Sequence, residues 1–516
     1  MDTTHAPPSV ARRIGWQSPA PVPEGHRFHT FLETTGGRLQ AHGLDLAAFF
    51  EVGPSPAPGL PNDAMPSPLE IAFLPNIRAQ VAAMNRCFSR AIESLGYPAP
   101  FHFAFASKAN TAEEIVRTTL TAGAHHEMSS DVDVEIARRM IRAGLLPKDR
   151  MVLANGFKGP GSTYARNLLA LRREHRLLIP ILEDSAELGA LAGRGVDLEF
   201  GIRLKRTQEH PDVGEWPPGR AADRDSRFGV DAGELERLAL EIDRTPGARF
   251  VLLHAMFGAP SDSEEQFVHA LEPALDLFAR LARDHRHLRF FDFGGGVPGR
   301  TTLDDVFDYD RFARLLLGKT LDVCARHGAR PPALIGEFGR YTVSEHAAHL
   351  FRVIAAKPNG KGVPWYLVDG SIMTSFPDTW ALGEHFVCLP LNHLDRPFRR
   401  VRLGGITCDR DDVYPPRGSA APLFLPEIAA TELDETPLYV GFFSVGAYQE
   451  MLGGVRGSKH CVLPEATELL IDDGEDGLLV CDIVPGHTTE DVLQNLGYGR
   501  TARVGAPRTA AAVTLA

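Results

Sequence analysis

One lysine stands where a charged side chain is least expected, at the end of an apolar run. The segment FHFAFASKAN, residues 101–110, has the aromatic and small residues of a buried strand and then places Lys108 before Asn110. An ammonium group loses solvation on burial, so such a lysine either extends to solvent or is kept for chemistry. The rest of the chain must decide between these alternatives.

Further residues suited to chemistry follow two later apolar runs. FFDFGGGVPGR places Gly294, Gly295 and Gly296 after one run, and IGEFGRY places Glu337 and Arg340 after the next. Glycines leave backbone N–H groups open to a phosphate, although a tight turn explains three glycines about as well. Taken separately, the glutamate and the arginine are compatible with solvated loop charges.

Taken together, these residues form a set that can bind pyridoxal 5′-phosphate (PLP). Lys108 is the candidate amine for a Schiff base with the cofactor. The three glycines and Arg340 are candidates for holding the phosphate, and Glu337 is the candidate for facing the pyridine nitrogen. The set works only if the fold brings these positions to one place.

The predicted strands and helices that must position these PLP-binding candidates alternate along the chain. Between about residues 67 and 345, short apolar runs are followed by stretches with helical periodicity. About eight such repeats predict a closed (β/α)8 barrel, in which functional residues lie at the carboxyl ends of the strands. Lys108 lies at one such end.

The remaining segments predict a smaller second unit. Residues 346–500 read as strands of a mainly β domain that completes the active site, and residues 501–516 as a disordered tail. Residues 1–66 are rich in proline and glycine and predict an irregular extension, with one strand near GGRLQAHGL and part of it joining the β domain. The predicted class is α/β, a TIM-like barrel with a C-terminal β domain.

Composition narrows the class of protein. The chain has 516 residues, of which 44% are hydrophobic and 23% charged, as in ordinary two-domain globular proteins. A formal net charge of −12 argues against nucleic acid or an anionic membrane as partner. The sequence shows neither a membrane-spanning apolar run nor the apolar core of a signal peptide. Six scattered cysteines without a CxxC pair predict reduced thiols in a cytoplasmic protein.

Several motifs resemble those of the alanine-racemase-like PLP decarboxylases that act on ornithine, diaminopimelate and arginine. In the barrel region the similar segments are FASKAN, HHEMSS, LANGFKG, SRFGV, FDFGGG and EFGRY. In the β region they are SFPDTWAL, GITCDRDD and VGAYQEMLG. They keep the family's order between about residues 67 and 455, and they most resemble the arginine-specific biosynthetic members.

The resemblance implies roles for individual residues. It makes Lys108 the Schiff-base lysine, Glu337 the partner of the pyridine nitrogen and Cys408 the acid that reprotonates the carbanion. Residues implied to contact the cofactor are Glu127, Arg203, His254, Met256, Gly294, Gly295, Gly296, Arg340 and Tyr448. Candidates for contacting substrate are Asp409, Asp378 and Asp411. In the family the Cys-Asp loop crosses to the partner subunit, which implies a homodimer with shared active sites; no metal is implied.

The chain also departs from the family pattern. Relatives carry HxHxGS, whose second histidine stacks on the cofactor ring, whereas this chain has HAMFGA, with Met256 at that position and Ala259 in place of the serine. A thioether can lie against an aromatic ring but donates no proton. GGVRGSKH also replaces the family's sequence after GAYQE.

Three functions therefore stay open. The leading one is decarboxylation of a basic amino acid such as arginine, ornithine, lysine or diaminopimelate. It is favoured over racemisation because a carboxylate, Glu337, keeps the pyridine nitrogen protonated, whereas racemases of this fold place an arginine there. The alternatives are a PLP enzyme of secondary metabolism with altered chemistry, which Met256 suggests, and a non-catalytic PLP-binding regulator. Retention of Lys108, Glu337 and Cys408 argues against the regulator, although Cys408 alone is compatible with a small buried side chain.

Overall fold

Two structural units make up the described part of the chain. The computed structural model describes residues 13–60, 62–205, 226–256, 263–304, 307–454, 459–475 and 477–498. Within these ranges eight parallel strands close into a barrel, and ten further strands form a second sheet. The predicted fold, a TIM-like barrel with a mainly β domain, is confirmed. The predicted tail 501–516 and Ala259 lie outside the described residues.

The barrel strands follow one another in chain order, and the last pairs with the first. Ala333–Phe338 closes the ring on Phe101–Ala106. The eight strands are Phe101–Ala106, His125–Met128, Val152–Ala154, Leu178–Leu182, Leu198–Arg203, Ala248–His254, Phe290–Asp292 and Ala333–Phe338. Because all are parallel, their carboxyl ends meet at one end of the barrel, which we call the mouth.

Amphipathic helices surround these strands and bury their apolar faces against them. They are Leu74–Leu95, Glu113–Thr121, Asp131–Arg142, Thr163–Glu174, Ala186–Leu191, Ala232–Arg244, Glu264–Asp284, Tyr309–His327 and Arg340–Val343. Ser130 and Asp133 form a reciprocal capping box that begins one helix two residues after a barrel strand ends. Such tight strand-to-helix connections fix the residues of the mouth. Among the described helices, none has the length and apolar character needed to cross a bilayer.

The second unit is a ten-stranded sheet with a few short helices. Its strands are Leu69–Phe73, Ala347–Lys357, Trp365–Val368, Val387–Pro390, Phe398–Gly404, Val413–Tyr414, Leu423–Pro426, Tyr439–Phe443, Thr467–Gly474 and Gly477–Val484. Its helices are Ile372–Ser375, Pro377–Ala381, Gln449–Gly453 and Thr489–Asn495.

The first of these strands corrects the sequence prediction. Leu69–Phe73 falls within the span assigned to the barrel, yet it lies in the second sheet between Ala347–Lys357 and Thr467–Gly474. The strand is apolar and almost wholly buried, so it needs a strand on each side, and the closed barrel has no free edge to supply one.

The N-terminal extension is more regular than predicted. It contains three short strands rather than one, Leu32–Thr35, Arg38–Ala41 and Leu44–Asp45. Gly36 and Gly37, both with positive φ, allow the tight turn between the first two. Backbone N–H groups of Val22 and Leu39 donate to carbonyl oxygens of the β domain at 2.8 and 2.9 Å. This contact agrees with the expectation that part of the extension joins the β domain.

Candidate active site

Each barrel strand brings a polar side chain to the mouth. In chain order these are Lys108, Glu127, Asn155, Glu183, Arg203, His254, Asp292 and Glu337. Most are deeply buried, and Asp292 has no exposed surface at all. Burying so many ionisable groups costs stability, and proteins retain such groups chiefly where they perform chemistry.

Asn155 connects two of the buried acids. Its side-chain amide donates to Glu127 Oε1 at 2.8 Å and to Glu337 Oε1 at 2.9 Å. Ser129 Oγ donates a further hydrogen bond of 2.9 Å to Glu127 Oε1. The network fixes both carboxyl groups. The sequence analysis noted the motif LANGFKG but did not identify Asn155 as a site residue.

Glu337 and Asp292 are buried carboxyl groups whose oxygen atoms lie within 4.8 Å of each other. Burial and then the neighbouring Glu127 raise the pKa of Glu337 to about 7, against the opposing effects of Asn155 and Lys108. Burial, followed by repulsion from Glu337, raises the pKa of Asp292 well above its usual range. The two carboxyl groups lie within hydrogen-bonding reach of each other. Asp292 was also missed in the sequence, where it stands inside FDFGGG.

Lys108 lies beside these acids. It occupies the short helical turn Ser107–Ala109 directly after its strand, and its side chain is exposed at the mouth while both flanking residues are buried. Desolvation lowers the pKa of Lys108, but attraction by Glu127, Tyr448 and Glu337 outweighs it and the pKa is raised. The structure therefore brings together the predicted Schiff-base lysine and the predicted pyridine partner.

Residues 446–451 of the β domain lie against the loop that carries Lys108. The Tyr448 N–H donates to Ala109 O at 2.8 Å, and Asn110 Nδ2 donates to Glu450 Oε2 at 3.2 Å. The Tyr448 ring centroid lies 5.2 Å from the guanidinium carbon of Arg340. Arg340 of the barrel and Tyr448 of the β domain, both predicted to bind the phosphate, are therefore neighbours.

The glycine loop has no room for side chains. Gly294 and Gly296 have φ values of 67° and 91°, which favour glycine. A Cβ atom on Gly294 would lie 2.8 Å from Met256 Sδ, and one on Gly295 would lie 2.7 Å from Glu337 O. The Gly295 N–H donates to Met256 Sδ at 3.2 Å. Met256 thus packs directly on the predicted phosphate loop.

Arg203 and His254 occupy the adjoining strand ends. Arg203 Nη1 lies 2.9 Å from Glu183 Oε1, and its guanidinium carbon lies 4.6 Å from the Phe228 ring centroid. His254 Nε2 lies 3.7 Å from Glu337 Oε2. Burial, and then the charge of Arg203, hold the pKa of His254 well below its usual value, so this ring is neutral. Glu183 and Phe228 were not identified from the sequence.

The predicted proton donor and substrate-binding residues lie apart from this group, on the β domain. Asp409 Oδ2 lies 2.6 Å from His460 Nε2. The Cys461 thiol lies within hydrogen-bonding reach of Cys408. These four residues, hereafter the Cys408 cluster, are exposed or half-buried. Cys408 is thus not a small core residue, and His460 and Cys461 were not singled out in the sequence.

The other two predicted substrate residues already have cationic partners. Asp378 is buried, and its Oδ2 atom lies 3.4 Å from Arg340 Nη2. Asp411 Oδ1 lies 3.6 Å from Arg417 Nε. The structure therefore does not gather Asp378 and Asp411 around one substrate cation.

Comparison with known sequences assigns the barrel region. Residues 77–344 match the family described as pyridoxal-dependent decarboxylase, pyridoxal binding domain. Arginine decarboxylase 1 of Oryza sativa subsp. japonica is 23% identical, and the match covers 89% of this chain and 78% of that protein. The biosynthetic arginine decarboxylase of Thermosynechococcus vestitus is 22% identical, with 84% of this chain and 82% of that protein covered. The family match confirms PLP as the cofactor.

Solved structures show the same fold. The biosynthetic arginine decarboxylase from Campylobacter jejuni superposes with a TM-score of 0.73 at 19% identity, covering 91% of this chain and 89% of that chain. Diaminopimelate decarboxylase from M. jannaschii, in co-complex with L-lysine, gives a TM-score of 0.71 at 16% identity, covering 90% and 97%. At these identities the likeness concerns the fold.

The residues of the mouth fit this cofactor. Glu127 Oε2 and both ring nitrogens of His254 are buried without a hydrogen-bond partner among the described residues. Burial and neighbouring carboxyl groups raise the pKa values of Asp292 and Glu337, and a protonated pyridine nitrogen beside them would favour their charged forms. The glycine loop passes so close to Met256 and Glu337 that Gly294 and Gly295 have no room for a Cβ atom.

Proposed function

Because this chain belongs to the pyridoxal-dependent decarboxylase family, we propose that it removes the α-carboxylate of a basic amino acid, with L-arginine as the first candidate. The observation that carries the proposal is a buried carboxyl group, Glu337, held by Asn155 beside Lys108. A carboxylate in that position keeps a pyridine nitrogen protonated, which suits decarboxylation. The names of the relatives, arginine decarboxylases of a plant and a bacterium, support arginine.

In this proposal the barrel residues bind and orient the cofactor. Lys108 is the amine that binds the cofactor aldehyde, and Glu337 holds the proton on the ring nitrogen. The glycine loop, Arg340 and Tyr448 would hold the phosphate. Bound PLP supplies an electron sink for the electron pair left when carbon dioxide departs.

The proton that ends the reaction comes from Cys408 in this proposal. Its thiol donates to the substrate Cα, from which the carboxylate has left. The ionisable residues that act on Lys108 include Glu127, Tyr448, Glu337 and Arg203, whereas Cys408 lies with His460 and Cys461. This separation supports a homodimer in which Cys408 of one subunit serves the mouth of the other.

Asp409 is the proposed receptor for the distal cation of the substrate. Its neighbour in the chain is Cys408, so one loop would deliver both the proton donor and the cation receptor. A carboxylate binds a guanidinium through two parallel charge-assisted hydrogen bonds, which favours arginine over the shorter ammonium substrates. Asp378 and Asp411 are less suited because each already faces an arginine.

One observation favours a second candidate, a PLP enzyme with altered chemistry or a specialised substrate. Met256 packs against Gly295 where relatives place a ring-stacking histidine. A thioether donates no proton, so protonation at the cofactor rather than at substrate Cα is less well controlled. In such an enzyme the substrate nitrogen would stay on the cofactor as an amine, and an aldehyde or ketone would be released in place of the amine product.

The test is a substrate panel on protein loaded with PLP. L-arginine, L-ornithine, L-lysine, diaminopimelate and the D-forms are each assayed for carbon dioxide and, by mass spectrometry, for amine. We expect the fastest carbon dioxide release and a stoichiometric amine from L-arginine. Aldehyde or ketone would support the second candidate. Absence of carbon dioxide from every compound, with cofactor bound, would overturn the assignment of a basic amino acid.

A further inference from the structure

The Cys408 cluster combines four side chains that bind metals. One donor atom each from Asp409, His460 and Cys461 lie within 4.8 Å of one another. Cys408, the neighbour of Asp409 in the chain, adds a second thiol next to Cys461. Two thiolates, an imidazole and a carboxylate are ligands that Zn²⁺ binds in a tetrahedron.

The spacing of the donor atoms is close to that of a zinc site. Bonds of 2.0–2.3 Å in a tetrahedron separate the ligand atoms by about 3.3–3.8 Å. The hydrogen bond between Asp409 Oδ2 and His460 Nε2, at 2.6 Å, must therefore open by about 0.7 Å, and the Cys461 thiol, within 4.8 Å of both, must close by up to about 1.5 Å. The Cys408 thiol lies outside this trio and must move toward it. Movements of this size are within the reach of side-chain rotation.

The loop that carries Cys408 and Asp409 is fixed by the buried Asp412. Its Oδ2 atom accepts hydrogen bonds from Thr407 N at 3.1 Å and Thr407 Oγ1 at 2.6 Å. Its Oδ1 atom accepts one from Met373 N at 3.0 Å. Cys408 and Asp409 are therefore held in place by the Asp412 carboxylate, which is not itself a member of the cluster.

The other half is fixed by the buried Lys459. Lys459 Nζ lies 3.9 Å from Glu465 Oε1 and its charge acts on the buried Glu70. The next two residues are His460 and Cys461, so both halves reach the cluster from anchored positions.

A second trio of donors in the described residues serves as a comparison. His254, Asp292 and Glu337 also lie within 4.8 Å of one another, but they are fully buried and contain no thiol. The cofactor accounts for that group. The Cys408 cluster has soft sulfur ligands and open access to solvent, and the cofactor does not account for its second thiol.

We propose that Cys408, Asp409, His460 and Cys461 bind a thiophilic divalent cation of the Zn²⁺ class, and that the bound ion inhibits turnover. Binding releases the two thiol protons to solvent and involves no oxidation. A metal-bound Cys408 thiolate carries no proton for the substrate. The inhibition rests on the proposed function of Cys408, whereas the binding itself does not.

Binding is tested with Co²⁺ as the probe on reduced, chelator-treated holoenzyme, without substrate. We expect the strong visible d–d bands of tetrahedral Co²⁺, at longer wavelength than the cofactor, with about one equivalent per chain and loss on adding Zn²⁺. Cys461→Ser and His460→Ala should each weaken binding by at least about tenfold. Cys481→Ser, which alters an exposed cysteine of the hairpin Thr467–Val484, is the matched control and should bind as the wild type does.

Absence of these bands from the wild type would overturn the site. Their persistence in the Cys461→Ser/His460→Ala double variant would also overturn it. Inhibition is measured separately, with each protein compared with its own metal-free rate. Zn²⁺ should inhibit the wild type reversibly, and the double variant should need at least about tenfold more Zn²⁺ for the same inhibition. Equal sensitivity of both would overturn the inhibitory role even if Co²⁺ binds. An inactive protein that shows the cobalt bands would instead count against the proposed function alone.

Discussion

The barrel mouth and the Cys408 cluster are built in opposite ways. At the mouth, Glu127, Asn155 and Glu337 are buried and joined by hydrogen bonds before any cofactor arrives. The Cys408 cluster is largely exposed, and its members contact one another rather than Lys108. One chain therefore prearranges the residues proposed to bind the cofactor, whereas the residues proposed to handle the substrate lie apart from them.

The largest expected effect lies at the mouth. Lys108→Ala should lower turnover by on the order of a thousandfold or more, because the amine that binds the cofactor is lost. Borohydride reduction of the wild-type holoenzyme should attach the cofactor to the peptide that contains Lys108, and not to the peptide of the exposed Lys148. A label on another lysine, or an active Lys108→Ala protein, would show that the mouth is not the cofactor site.

Glu337→Gln should have the next largest effect. The variant keeps the shape of the side chain and should retain cofactor, but it loses the charge that holds a proton on the ring nitrogen. We expect kcat to fall about a hundredfold or more. Glu113→Gln, which alters an exposed helix residue, is the control. Unchanged kcat in Glu337→Gln would mean that the mouth does not use its buried carboxylate.

The same carboxyl group predicts how the cofactor-free protein responds to pH. The pKa of Glu337 is raised from 4.5 to about 7, so the folded state holds a proton that the unfolded state releases. Glu337 alone should therefore lower the free energy of unfolding as pH rises from about 4.5 to 7, by on the order of a few kcal/mol. Buried histidines with lowered pKa values, such as His126 and His346, act in the opposite direction over this range. Urea titrations of the wild type and of Glu337→Gln at several pH values isolate the contribution of Glu337 as the difference between the two proteins. A difference that does not change with pH would contradict the assignment.

The smallest predicted effects distinguish Asp409 from Asp411 in the β domain. Asp409→Asn should raise KM for arginine about tenfold because a charge-assisted contact is lost. Asp411→Asn should change KM by less than about twofold, since Asp411 pairs with Arg417 at the surface. Steady-state kinetics of both variants test this contrast. Equal KM changes would show that the Cys408 cluster does not set specificity.

The sequence predicted the barrel, although one of its strands shows no apolar run. Seven strands stand out as apolar runs, but His125–Met128 does not, because Glu127 and two histidines occupy buried positions. Hydrophobic patterns fail where a buried strand carries functional side chains. Leu69–Phe73 was assigned to the wrong unit for a different reason, since a buried apolar strand does not reveal its pairing partners.

The predicted site was similarly incomplete. Lys108 and Glu337 were found because each follows an apolar run, and the structure brings them together. Asn155 and Asp292 stand in motifs that were noticed, but their roles depend on contacts with residues far along the chain. His460 lies 51 positions from Asp409, and no spacing pattern indicates that contact.

The most direct test of this comparison mixes two inactive proteins, Lys108→Ala and Cys408→Ala. If each site takes its mouth from one subunit and its Cys408 from the other, random pairing leaves one intact site in about half of the dimers. We expect recovery of up to about a quarter of wild-type activity after subunit exchange, which differently tagged chains can verify. No recovery in mixtures with proven exchange would contradict the account and place a complete active site within a single chain.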